Sequence, residues 1–193
     1  MHGGACIFDQ GFPEQVKEDV LAVTRLIASK TNRDVAIDLP QEPLHYIHKG
    51  KVIQFPYRIY YADLPDKAAA MENPQQQMIL HCIYSRSANG FVRQKHLRCL
   101  LQMNYEEWAI PYIVKICDEY VVEILEMVYG FLKEQDTERI RRFCLENKEA
   151  FYRSYCRMIS YWNEYYRHST PNFQQYIGNK LFRECLGNPL IRS

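Results

Sequence analysis

The chain has 193 residues, 47% of them hydrophobic and 24% charged, which is enough to bury the core of one ordinary globular domain. Its formal net charge of +1 gives no whole-molecule attraction to nucleic acid, acidic membrane or polyanionic substrate, so such a partner would need a local patch. Seven cysteines (Cys6, Cys82, Cys99, Cys117, Cys144, Cys156 and Cys185) are odd in number and include no CxxC pair, a pattern of small buried hydrophobes in a reducing compartment rather than a disulfide framework.

The opening MHGGACIFDQGF lacks a basic start followed by an apolar run, so no signal peptide or targeting helix is expected and a cytoplasmic address follows. The first helix is predicted from Pro13 to about Lys30, with Val16, Val20, Val23, Leu26 and Ile27 as its inner stripe. Between Asn32 and Pro43 two prolines force an extended or looping path around a short apolar piece, Val35 to Leu39. LHYIHKGKVIQFPYRIYY, from Leu44 to Tyr61, is rich in β-branched and aromatic residues. It predicts a small hairpin, Leu44 to Ile47 with Val52 to Phe55, turned at Lys49-Gly50 and ended by Pro56. His45 and His48 invite a metal reading, but on a strand they point to opposite faces and cannot share an ion.

Asn73-Pro74 opens the next helix as cap and first helical residue, with Met78, Ile79, Cys82 and Ile83 inward. His81 lies beside that stripe and reads as a satisfied core-margin histidine, because local spacing pins no acid or nucleophile next to it. After a turn at Ser87 to Gly90, Phe91 to Met103 is helical with Leu97, Leu100 and Leu101 inward. Arg93 falls on the same inner side and therefore needs carbonyls or a carboxylate, Asp118 or Glu119 being candidates.

From Pro111 to Leu132 a single helix is predicted, about 30 Å long at roughly 1.5 Å per residue. Ile113, Ile116, Cys117, Tyr120, Val121, Ile124, Met127, Val128 and Phe131 fall on one face and Lys115, Asp118, Glu119, Glu123 and Glu126 on the other. Those charges exclude a membrane span. Asp136 or Thr137 is expected to cap a shorter helix through about Glu146, and Asn147 the next. Lys148 to Arg167 then shows two faces: Phe151, Tyr155, Ile159, Trp162 and Tyr166 on one, Arg153, Arg157, Tyr161, Tyr165 and His168 on the other. Thr170-Pro171 restarts a last helix to Leu186, with Gly178 a potential break and Gly187 the stop.

In Pro74 to Phe131, a helix, a short polar turn and then VRQKHLRCL resemble the valine-arginine start of the second helix in HEAT-type repeats, and IPYIVKICDEYVVEIL resembles the first helix of a next unit. The resemblance implies a stacked α-helical array whose concave side binds a partner, and no catalytic residue. ISYWNEYYR, FPYRIYY and DEYVVEIL are also similar to segments of bacterial proteins of about this size, from which no activity follows.

Neither GxxxxGK[ST] nor GxGxxG occurs, and zinc signatures of the CxxC and HExxH kinds are missing, so no cofactor or metal is expected. Glu119 and Glu123, one turn apart, could transfer protons if buried beside a base. A solvated face with a Lys115–Glu119 helical pair is the plainer reading. The sequence thus predicts a mainly α, single domain over residues 1–193: a HEAT-like helical core at about 73–187 with an extended or β insert at about 35–62. It reads as a non-catalytic scaffold binding another protein through Arg153, Arg157, Tyr161 and Tyr165, with Arg93 and Glu119 as further binding candidates. The alternative is a nucleic-acid-binding or base-processing protein resembling the helical-repeat alkylpurine glycosylases, against which the near-zero net charge weighs.

Overall fold

The computed structural model describes Phe8 and residues 10–31, 42–65 and 73–188. Among these the chain is mainly helical with one two-stranded antiparallel sheet, the mainly α class with a small hairpin that periodicity predicts. It divides into two compact units, Met1–Ala109 and Ile110–Ser193.

In the first unit a 3-10 turn, Glu14–Val16, leads into α1, Lys17–Thr31. Val16, Val20, Val23 and Ile27 are buried along the expected stripe. Val35 to Leu39 lies outside the described residues. The hairpin pairs β1, Leu44–His48, with β2, Lys51–Phe55, in the register Leu44 to Phe55 and His48 to Lys51. Lys49 and Gly50 both take left-handed φ, 51° and 75°, the geometry that matches a two-residue turn to strand twist. Tyr46, Ile53 and Phe55 fill the buried face, and Ile47 and Val52 pair on the exposed one.

Asn73 Oδ1 accepts from the Gln75 and Gln76 amides and opens α2, Pro74–Tyr84. Asn89 does the same for Phe91 and Val92 at the start of α3, Gly90–Gln102. Two asparagine caps thus set the helix starts, each satisfying amides that no helical carbonyl can reach. α2 packs on α1 and on α3. The segment after Pro56 crosses the α2–α3 turn: Ile59 N donates to Arg86 O at 2.9 Å and Ala88 N to Ile59 O at 2.8 Å. The unit closes on a 3-10 turn, Glu107–Ala109.

The second unit corrects the predicted long helix. Residues 110–132 form two helices, α4 at Ile110–Ile116 and α5 at Val122–Leu132. Between them Cys117 N bonds to Val114 O and Glu119 N to Ile116 O, three residues back, so the chain tightens and turns. No glycine or proline marks the break, and a buried ion pair lies at it. Lys115 Nζ contacts both Asp118 carboxylate oxygens at 2.6 Å, one turn on, where a cation also suits the end of α4. Lys115, Asp118 and Glu119 are all buried, so the expected solvated stripe is interior at this point; only Glu123 and Glu126 remain exposed. Lys115 forms its short ion pair with Asp118, three residues on.

α6, Glu138–Glu146, packs on α4, and α7, Lys148–Tyr161, packs on α6. Neither Thr137 nor Asn147 caps with its side chain; Asp136 Oδ1 accepts from Glu138 N, and Asn147 Nδ2 donates back to Phe143 O. α7 widens into a π-helical turn, Trp162–Tyr166. The last helix does not start at Pro171. A 3-10 turn, Phe173–Gln175, precedes α8, Ile177–Lys180, which continues as a π-helical turn, Leu181–Leu186, before Gly187 at φ +92°. α8 packs on α5 and α7.

Gly178 is a point of close approach rather than a break. A Cβ there would lie 2.6 Å from Tyr176 Cε1 and 2.9 Å from Met158 Cγ, and both side chains are buried. Gly178→Ala is expected to cost about 1–3 kcal/mol by overpacking, read as a lower urea midpoint; a midpoint equal to wild type would mean the site has slack.

Candidate functional site

Two arrangements of polar and aromatic side chains stand out, one in each unit. In the second unit, Tyr161 on α7 and Tyr165 on the π turn meet Tyr120 from the α4–α5 turn. Ring centroids lie 5.9 Å apart for Tyr120–Tyr161, 6.3 Å for Tyr120–Tyr165 and 6.2 Å for Tyr161–Tyr165. Tyr120 and Tyr165 keep 48% and 58% of their surface exposed, so the cluster is an edge of the core with open ring faces. The neighbouring Tyr166 Oη donates to Tyr120 O at 2.6 Å, tying the π turn to the chain just before α5. The cap residue of α5, Val121, has no side chain able to accept from its first amides. Arg157 Nη1 reaches Asp118 Oδ2 at 2.8 Å, joining α7 to the buried Lys115–Asp118 pair.

The predicted binding residues therefore separate. Arg157, Tyr161 and Tyr165 come together with Asp118 and Tyr120. Arg153 points outward with an exposed Glu149 carboxylate 3.7 Å away. Glu119 is buried in the turn after α4, and Arg93 belongs to the first unit. There Arg93 is buried as its inner position requires, and its Nη1 donates to the Ser87 carbonyl at 2.6 Å and the Ala88 carbonyl at 3.3 Å.

The first unit holds a constellation that spacing along the chain does not show. His81, near the end of α2, and His96, on α3, face each other with Nδ1 atoms 2.9 Å apart, and His96 Nε2 lies 2.8 Å from Asp63 Oδ1. Lys95 Nζ holds the other Asp63 oxygen at 2.9 Å. The Tyr84 ring stacks on His96 at 4.6 Å, while its hydroxyl donates to Ala62 O at 2.9 Å. Burial by itself would raise the Asp63 carboxyl, but the hydrogen bonds and charges of Lys95 and His96 prevail and hold it below the ordinary carboxylate value. Burial, then the charges of His96 and Lys95, push His81 down to about 4, although Asp63 acts the other way.

His81 was legible as a core-margin residue, but Asp63 lies in an irregular segment 33 residues from His96, so only tertiary folding pairs them. Among the described residues no group of three His, Cys, Asp or Glu side chains is placed to hold a metal ion, and no helix is long and apolar enough to cross a membrane. Comparison with protein families, with curated proteins and with solved structures finds no match to this chain.

Proposed function

We propose that this chain is a helical scaffold that binds another protein through the tyrosine edge of its second unit, with Tyr120, Tyr161 and Tyr165 as anchors and Arg153 at the rim. The observation that supports it most is the three-ring cluster with open faces. Its rings already hold one another in place, so a partner would cover large aromatic surface at little further cost in side-chain freedom. Arg157 is committed to Asp118, which leaves less free positive charge for phosphate than the sequence suggested and favours protein over nucleic acid as the partner. A HEAT-like stack is part of the same proposal; the α2–α3 pair, with Arg93 on its inner side, is what supports it.

Replacing Tyr120 and Tyr165 together by alanine tests the reading, because both are exposed enough for the fold to survive. The full-length variant is expected to keep its far-ultraviolet circular dichroism and to lose about tenfold or more in affinity for the protein that co-purifies with wild type, as when anchor aromatics are truncated. Unchanged capture of that protein by the folded variant would overturn the assignment. Binding to duplex or single-stranded DNA that weakens steeply with salt would replace it with the nucleic-acid reading.

A further inference from the structure

The geometry points to a proton-relay site in the first unit, in which His81 Nε2 is a general base for a water or hydroxyl group and His96 and Asp63 carry and stabilise the proton it takes. This uses no residue of the tyrosine edge. With Asp63 ionised and His96 neutral, the hydrogen-bond pattern assigns the protons. An ionised carboxylate can only accept, so His96 presents an N–H at Nε2 to Asp63. In neutral His96 the other nitrogen, Nδ1, then carries a lone pair, and the 2.9 Å contact to His81 Nδ1 requires an N–H on the His81 side. Neutral His81 is thereby left with its lone pair on Nε2. That atom has no hydrogen-bond partner among the described residues and is not among the buried unpartnered polar atoms, and His81 is only half-buried, so Nε2 meets solvent.

Proton uptake at this open end needs no ring rotation. A proton arriving at His81 Nε2 displaces the one on Nδ1 across the 2.9 Å gap to His96 Nδ1, and the positive charge comes to rest on His96, between His81 and Asp63. Asp63 is itself positioned by Lys95, and Tyr84 stacks on the ring that receives the charge. A second proton is opposed because it would put two charged rings in contact, which agrees with His81 being held down to about 4 by burial and by the His96 charge. The site therefore takes up one proton and returns one. Those are the needs of a general base that activates a water or hydroxyl group and then returns the proton. His81 is the catalytic residue here, and His96 and Asp63 are positioning residues acting through it.

The test uses the full chain with p-nitrophenyl acetate as probe, together with nitrogen-15 NMR of the histidine rings across the pH range. In wild type, His81 Nε2 is expected to be unprotonated at high pH, and both rings are expected to shift together in one titration, followed by hydrolysis that is slower in deuterium oxide. His81→Gln is expected to lower the rate to that of free buffer. Asp63→Asn is expected to move the shared titration and the pH–rate profile downward together, a change that a merely structural role would not produce. Folding of both variants is checked by circular dichroism, and the wild-type tautomers alone already decide the proton assignment. The proposal is overturned if wild-type His81 carries its proton on Nε2 at high pH, if the two rings titrate independently, or if folded His81→Gln hydrolyses the ester as fast as wild type.

Discussion

Asp118→Asn is expected to destabilise the second unit by about 3–5 kcal/mol, the usual cost of removing one partner of a buried ion pair. The substitution keeps the shape and removes only the charge. Lys115 would lose the anion it contacts through both oxygens while remaining buried, and Arg157 would lose the same anion. Arg157→Gln should cost much less, because its side chain is 37% exposed and the Lys115–Asp118 contact survives. Each unit contains one tryptophan, Trp108 in the first and Trp162 in the second. Urea unfolding of a Trp108→Phe background, followed through Trp162 fluorescence, would therefore report on the affected unit. A loss under about 1 kcal/mol for Asp118→Asn would show that the turn between α4 and α5 does not depend on this pair.

Acid should loosen the first unit well before ordinary carboxylates titrate. His81 has its folded value lowered from 6.5 to about 4, so between those limits the unfolded chain binds a proton that the folded chain refuses. Stability contributed by burying the neutral ring is complete above 6.5 and is lost as pH falls toward about 4, a difference worth about 3 kcal/mol. The groups facing the ring are His96, Lys95 and Asp63, with Tyr84 beyond His96. Asp63, also lowered, contributes stability that persists above its ordinary value and disappears only as pH falls further, through its folded value, so it does not account for the earlier loss. The urea midpoint of the first unit, read through Trp108 in a Trp162→Phe background, is expected to fall across this interval in wild type and to flatten in His81→Asn. Equal slopes in the two proteins would mean that another group titrates.

The mainly helical class, the hairpin and most element starts were readable from the residues themselves, because each rests on local chemistry. Asn73 and Asn89 reach amides two and three residues on, Lys49-Gly50 supplies the turn, and Pro56 cannot continue a ladder. The inner position of Arg93 was likewise a matter of helical angle. What local chemistry could not decide was which apparently polar positions would be interior. Residues 117–121, where the helix breaks, contain no glycine or proline, and the periodicity of 111–132 fits one rod. The break at Cys117–Val121 goes with an ion pair whose third member, Arg157, comes from 39 residues away. The Tyr161 and Tyr165 face was visible as a pattern. Its closure on Tyr120, and the bond from Tyr166 to the Tyr120 carbonyl, were not. The same holds for Asp63, His96 and His81, which join an irregular segment to two helices. Periodicity reports what one element needs from its own neighbours in the chain; the partner of a buried charge or an imidazole is chosen by packing, and only the folded chain brings those atoms within hydrogen-bonding distance.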